Sequence, residues 1–460
     1  MSLYTTLCSQ VIFPLHERLK HHQSVAVRRR LEEQERWPRG QLEAWRVERL
    51  KTFLMRIGKN VPYYRDLFAA NSFDPASITS IADLQRLPLT DKAAMRAAGD
   101  RIKADDAVDL SRYNTGGSSG EPLIFFIGKD RKSHDVGAKW RVTRWWGVDI
   151  GDPEIVVWGS PIELGAQDRL RILRDRLLRT ELLPAFEMSV ANLDRFVATI
   201  RERRPTMLFG YPSSLSLIAA HAESQGLRMD NLGIKVAFVT SERLYDEQRA
   251  TISKVFGCPV ANGYGARDAG FIAHECPQGG MHLQAEDIIV EIVDADGRVL
   301  PPGEAGEIVV THTATHDFPF VRYRTGDIAV LSDELCACGR TLPLVKEIQG
   351  RSTDFVVAAD GTVIHGLALI YTVRDVPGVQ RFKIVQHSLD HTELLLVTKP
   401  PFNAEGEARI LKDYKGRLGQ DVTVTFTYVE EIPREASGKF RYVVSKVAGR
   451  PGADVANPHA

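Results

Sequence analysis

IKVAFVTSE (Ile234–Glu242), YDEQRATISKVFG (Tyr245–Gly257) and PVANGYG (Pro259–Gly265) follow one another almost directly. The first and third are short apolar runs; the second carries apolar residues at helical spacing and stops at a glycine. Strand, helix, strand in that order predicts a parallel βαβ unit. Working outward, EIVVWG, NLDRFVATIRERRP, MLFGYP and SLSLIAAHAESQG repeat the alternation. Residues 154–262 therefore read as a parallel α/β sheet.

On either side the texture changes. Before it, residues 1 to about 60 read as helical, because Leu42, Arg46, Leu50, Phe53 and Ile57 recur at three- and four-residue steps until Gly58 stops the pattern. Tyr4 to Leu15 is apolar and leads into basic residues through Arg30, a pattern open to two readings: a membrane-surface contact, or a helix packed on the main domain. After 280, IIVEIVDADGRVL with its Asp296–Gly297 turn and GEIVVTHT read as a β-rich subdomain, about 280–349. Beyond Gly350, DFVVA, FKIVQHS, ELLLVTKP and VTVTFTYV mix with two helical segments, so 350–460 reads as a small α+β lid on a larger domain, 1–349.

The 460 residues, 43% hydrophobic, suffice for two or three domains with their own cores. Fifty-nine basic residues balance 59 acidic ones, so no global field recruits nucleic acid, and any polyanion must be held locally. Five cysteines are too few for a disulfide framework, and no secretory leader opens the chain; a cytoplasmic location is expected. The apolar runs are too short for stable membrane insertion.

TGGSSGEP (Thr115–Pro122) is nearly bare of side chains, which lets backbone N–H groups and hydroxyls close on an anion. It lacks the Walker spacing, and LIFFI continues it as a strand, so it reads as a hairpin flap over a nucleotide or as a plain turn. Four further motifs follow: Tyr264-Gly-Ala-Arg-Asp268, Tyr323-Arg-Thr-Gly-Asp327, Gly350-Arg-Ser-Thr-Asp354 and Pro433-Arg-Glu-Ala-Ser-Gly-Lys439. In this order they resemble the core motifs of the adenylate-forming superfamily. LPLTDKAAMR (87–96), NVPYYRDLF (60–68), FGYPSSL (209–215) and CACGRTLP (336–343) resemble the phenylacetate:CoA ligase family and its CapK-like members.

That resemblance implies an adenylate-forming N-terminal domain, a mobile C-terminal domain, and ATP-dependent activation of a carboxylic acid as acyl-AMP. Transfer to coenzyme A would follow; the alternative acceptor is an amine, a sugar or a carrier protein. It assigns Thr115, Gly116, Gly117, Ser118, Ser119 and Gly120 to the departing phosphates, Asp327 to the ribose, and Tyr264 and Gly265 to the adenine and acyl sites. Ser241 and Glu242 fall where relatives present backbone to adenine. Asp268 would hold Mg²⁺, although relatives usually carry glutamate there. Lys439 would reach the reacting anions, and Arg351 would bind ribose or phosphate beside the hinge. Phe209, Tyr211, Val239, Thr240 and Ala261 to Tyr264 border the expected acyl pocket. Family members often pair as homodimers, and the sequence leaves the oligomeric state open.

Cys276, His282, Cys336 and Cys338 supply three thiols and an imidazole from two short loops, a set suited to tetrahedral, structural Zn²⁺. The spacing matches no common finger, and buried free cysteines are the alternative. His274 is a spare histidine, and Cys8 and Cys258 read as core residues.

Overall fold

The computed structural model describes residues 2–114, 123–158, 169–185, 190–351, 355–360, 363–365, 367–374, 376–432 and 442–447. The Thr115–Pro122 loop, Ser352–Asp354 and Lys439 lie outside them, and Arg351 is described in its backbone alone. Two compact units emerge: Met1–Val293 with Gly297–Thr325 and Ala329–Ile348, and Gln349–Ala460 with Asp294–Asp296 and Gly326–Ile328.

In the first unit, helices α1 (Ser24–Gln34) and α2 (Arg39–Asn60) precede an antiparallel pair, β1 (Ser111–Asn114) and β2 (Ile124–Ile127). Helix α3 (Lys129–Trp145) leads into the α/β region: β3 (Glu154–Trp158), β4 (Thr180–Pro184), α4 (Val190–Arg203), β5 (Met207–Gly210), α5 (Pro212–Ser224), β6 (Val236–Thr240), α6 (Asp246–Phe256) and β7 (Val260–Ala266). Strands β8 (Gly270–Glu275), β9 (Met281–Leu283), β10 (Ile288–Val293), β11 (Ala305–His312), β12 (Tyr323–Ser332) and β13 (Leu344–Arg351) follow. Among the described residues, eleven of these strands make one sheet, ordered β10-β11-β12-β13-β9-β8-β7-β6-β5-β3-β4. The β-rich stretch after 280 thus continues the parallel sheet, with β8 pairing antiparallel to β7 at the change of texture.

Period-two alternation sorts the parallel strands onto two cores. Leu208, Ala237 and Val239 face Phe196, Leu215, Ile218, Ile252 and Phe256 of α4, α5 and α6. Met207, Phe209, Val236 and Phe238 pack with Val142 of α3 on the other side. Both faces are covered, which is why these strands are apolar throughout rather than alternating with polar residues.

The second unit holds β14 (Phe355–Val357), β15 (Val363–His365), α7 (Leu367–Arg374), β16 (Val379–Ser388), β17 (His391–Thr398), α8 (Ala404–Leu418), β18 (Thr423–Tyr428) and β19 (Val443–Ser445). Its four-stranded sheet runs β18-β17-β16-β19. Asn403 caps α8 by accepting from the N–H groups of Glu405 and Gly406, and Ile410, Tyr414 and Leu418 bury one stripe of that helix.

Gly58 does not end α2, which continues to Asn60. The helix stops because Val61 precedes Pro62 and is pushed to extended geometry, φ −113° and ψ 111°. Gly58 serves packing instead: a Cβ there would stand 2.9 Å from the ring of buried Phe68. Gly58→Val is therefore expected to lower stability by roughly 1–3 kcal/mol through overpacking. A reduced denaturant midpoint at unchanged m-value checks this.

Candidate active site

The parallel strands end together. Val157 pairs with Gly210, Gly210 with Val239, and Thr240 with Gly263, so the chain leaving those ends brings Tyr211, Ser241–Glu242 and Tyr264–Gly265 to one edge. Open α/β sheets bind ligands outside the carboxyl ends of their strands. Ser241 sits there with φ +71°, a left-handed conformation that is strained for a serine. Glu242 accepts from the Ser213 N–H at 3.3 Å, tying the loops after β5 and β6 together. Trp158, at the end of β3, stacks on Tyr211 with centroids 4.3 Å apart, and Phe209 packs 5.8 Å from it. Trp158 extends the aromatic wall expected of Phe209 and Tyr211; its signal was an aromatic residue closing a strand.

The turn from β7 to β8 carries Arg267 and Asp268. Here the backbone folds so tightly that a Cβ on Gly265 would lie 2.3 Å from the Gly270 carbonyl oxygen, which fixes glycine beside Tyr264. Asp268 is buried and held at both oxygens: Tyr323 donates its hydroxyl to Oδ2 at 2.7 Å, and the Ala269 N–H donates to Oδ1 at 3.1 Å. A carboxylate with two oxygens retains further lone pairs, so this arrangement leaves room for one cation bond. Buried Arg131 of α3 donates to the carbonyls of Asp268 (3.1 Å) and Arg267 (3.3 Å), and its Nε contacts both oxygens of Asp135 at 2.8 and 2.9 Å. Neither Arg131 nor the Tyr323 contact was legible in the sequence, because both depend on which strand and helix neighbour the turn.

Behind Arg131 lies a buried ionic cluster. Asp287 accepts from Arg49 at 3.1 Å and pairs with Arg30; His134 Nε2 stands 3.3 Å from its Oδ2, near enough for attraction but not aligned for a hydrogen bond. The rings of His134 and His312 meet edge to face at 4.8 Å. Burial disfavours a charged His134, but the carboxylates of Asp135 and Asp287 outweigh it and raise its pKa. For His312, burial, Arg131 and the charge on His134 act together and hold the pKa well below the ordinary value. The surroundings thus shift the two neighbouring imidazoles in opposite directions.

Cys276 follows β8, His282 lies on β9, and Cys336 and Cys338 join β12 to β13. Their donor atoms all fall within 4.8 Å of one another. The Cys276 and Cys336 sulfurs are 3.6 Å apart, and Cys338 Sγ is 3.2 Å from His282 Nε2. A tetrahedral site would place sulfurs about 3.8 Å apart and sulfur and nitrogen about 3.5 Å apart, so the set fits Zn²⁺. Nδ1 of His282 faces the Leu342 carbonyl at 3.3 Å, leaving Nε2 as the donor toward the thiols. Gly280 permits the approach, since a Cβ there would lie 2.6 Å from Cys336 Sγ. His274 stands apart: it bonds Gln284 at 3.2 Å and packs on Phe238 and Phe271. Cys8 and Cys258 are buried outside the cluster.

Asp327 is a buried carboxylate on β12, within the residues grouped with the second unit. Of the expected site residues, those from Ser241 to Asp268 thus converge at the strand ends, and Cys276, His282, Cys336 and Cys338 converge elsewhere in the same unit.

Residues 182–315 match the family described as AMP-binding enzyme, and residues 356–446 match the CapK C-terminal domain. The chain thus carries an AMP-binding-enzyme segment and a CapK-type C-terminal segment, and it is similar to proteins named CapK and phenylacetate-coenzyme A ligase. Protein CapK of Staphylococcus aureus is 24% identical to this enzyme over 87% of the chain and 88% of the relative. The phenylacetate-coenzyme A ligase of Thermus thermophilus is 25% identical, covering 90% and 98%. The adenylate-forming fold also matches a crystal structure of 2-hydroxyisobutyryl-CoA ligase in the postadenylation state with 2-HIB-AMP, with a TM-score of 0.73, 21% identity, and 90% and 91% covered.

The histidine pair gives the enzyme a pH signature of stability. His134 has a raised folded pKa, so its contribution is complete below the unfolded value of 6.5 and is lost as pH rises through the folded value. His312 acts oppositely: below 6.5 the unfolded state takes up a proton that the folded state refuses. Their joint contribution should peak near pH 6.5 and fall by at most about 1.4 kcal/mol per pH unit on each side. In denaturant titrations from acid to alkaline pH, His134→Gln should flatten the alkaline limb and His312→Gln the acid limb.

Proposed function

We propose that this enzyme makes an acyl adenylate from a small carboxylic acid and ATP, and then forms a thioester with coenzyme A. In the first step a carboxylate oxygen of the acid bonds to the α-phosphorus while its bond to the bridging oxygen breaks and pyrophosphate leaves. In the second, the sulfur of coenzyme A bonds to the acyl carbon, its proton passes to solvent, and AMP departs. The observation that carries this reading is the buried Asp268 carboxylate, oriented by Tyr323 beside Tyr264 and Gly265 at the strand ends of the AMP-binding segment.

Both half-reactions bring anions together, so the chain's task is to orient donors and positive charge before reaction. Asp268 would hold Mg²⁺, which when bound offsets the phosphate charge. Tyr323 keeps the short aspartate side chain fixed, and Arg131 fixes the backbone on either side of it. Tyr264, Tyr211 and Trp158 offer aromatic surface for adenine and the acyl group. Asp327 is assigned to the ribose, Thr115–Gly120 to the phosphates, Lys439 to the reacting anions, and Arg351 to ribose or phosphate. Relatives named phenylacetate-coenzyme A ligase support coenzyme A as acceptor. A second reading, motivated by the match of residues 356–446 to the CapK C-terminal domain, has an amine, sugar or carrier protein as acceptor.

Cys276, His282, Cys336 and Cys338 would hold a structural Zn²⁺. Burial pushes the Cys276 thiol up to about 12 and the His282 imidazole down to about 4. Three sulfurs this close cannot ionise together without a cation among them. With four protein donors the site is closed, which suits a fold-stabilising role rather than activation of water.

Pyrophosphate exchange into ATP across aromatic, fatty and hydroxy acids, with and without coenzyme A, tests the main reading; AMP release stimulated by coenzyme A separates it from the second. Lys439→Ala should slow exchange by about 10²- to 10³-fold. Tyr323→Phe should lower kcat by about 10-fold and raise the Mg²⁺ requirement, while keeping the fold. Elemental analysis should find about one zinc per chain, and Cys336→Ser should lower both zinc content and Tm. A metal-free protein of undiminished Tm would remove the zinc assignment.

A further inference from the structure

The segment Leu3–Leu19 is built inside out. It runs as a helix over Leu3–Leu7, a wider turn over Cys8–Ile12 and a helix over Phe13–Leu19. Its buried side is largely small or polar: Thr5, Cys8, Ser9 and Glu17, with Phe13 against Trp140. Thr5 donates to Asp152 at 2.7 Å, and Glu17 is met by His16, His22 and Ser24. Leu3, Leu7, Val11, Leu15 and Leu19 all face solvent, from 46% exposed at Leu7 to 93% at Leu3. A four-residue step drifts about 40° per repeat around a regular helix. The wider turn in the middle carries more residues per turn and offsets that drift, so the five side chains stay on one face.

A second helix adds to the ridge. Arg169–Leu177 lies beside the segment: Tyr4 donates to the Leu177 carbonyl at 2.8 Å, and Leu173 and Leu177 are themselves exposed. The exposed charges of 2–20 and 173–179 are Arg18, Lys20, Arg176 and Arg179, all basic. Glu17 is buried, and Asp175 is engaged by Arg174. The overall charge balance conceals this local asymmetry.

We propose that this face docks reversibly on an anionic phospholipid bilayer, with the leucine ridge at the headgroup boundary and the arginines and lysine among the phosphates. Outward leucines with a cationic border are the pattern of an interfacial segment lying in the membrane plane. Among the described residues no helix is long and apolar enough to cross a membrane, so the contact is peripheral. A second copy fits the face less well, because a two-fold contact would gather identical basic borders around one apolar patch.

Co-sedimentation of the full chain with vesicles tests this. Binding to vesicles with about 30% phosphatidylglycerol should exceed binding to pure phosphatidylcholine by at least about 10-fold, and should weaken as salt rises from about 0.05 to 0.5 M. Leu7→Glu with Leu15→Glu should reduce binding by at least about 10-fold, with Tm and pyrophosphate exchange unchanged because both side chains are exposed; Leu7→Ser with Leu15→Ser gives a milder second variant. Arg18→Glu with Lys20→Glu should remove most of the salt-sensitive part. Equal binding by the leucine variants and the parent, or no binding to either vesicle, would overturn the proposal. So would self-association in sedimentation equilibrium that the leucine variants abolish while vesicle binding is absent.

Discussion

Arg131 is a guanidinium taken out of water, and such a charge persists only where its donors are met. Asp135 takes one edge of the fork, and the carbonyls of Arg267 and Asp268 take the other. The turn that carries Asp268 is thereby fastened to α3, a helix embedded between the sheet and the N-terminal segments. Tyr323 completes the arrangement from β12 by holding the carboxylate itself. The short Asp268 side chain is thus given one defined position. Behind Arg131, the buried Asp287 carboxylate ties α1 and α2 into the same cluster through Arg30 and Arg49.

Strand β8 connects this turn to the cysteine cluster. It leaves the β7–β8 turn at Gly270 and reaches Glu275 just before Cys276. Glu275 is well occupied: its side chain accepts from the Asn262 N–H and from Arg249, and its carbonyl accepts from Trp146. At the far end, the Arg340 guanidinium lies over Trp145 and bonds Glu35, so the cluster also anchors the end of α1 and the last turn of α3. Both ends of one short strand are pinned, which restrains the cysteine cluster and the β7–β8 turn together.

Local patterns were a good guide where a single element carries the information. The βαβ alternation from Glu154 onward appears in the structure with one strand the pattern did not show, β4 (Thr180–Pro184), since apolar runs of that length bounded by turns have few other ways to bury themselves. Cys276, His282, Cys336 and Cys338 were legible as one chemical set, and the structure brings their donor atoms within 4.8 Å of one another. Gly58 misled, because a glycine read alone signals a break, whereas here it yields space to Phe68. The N-terminal leucines were ambiguous for a related reason: a stripe records periodicity but not the side that faces inward.

By itself, then, the sequence determined the α/β class, the order of the motifs and the residue types available for nucleotide and metal chemistry, because these depend on spacing along one chain. Tertiary structure alone decided that Arg131 and Tyr323 serve Asp268, that Trp158 joins Tyr211, that His274 stands outside the cysteine cluster, and that the leucine row points outward. Those outcomes depend on which surfaces meet across the sheet, and contact between residues distant in the chain leaves no periodic trace within either partner.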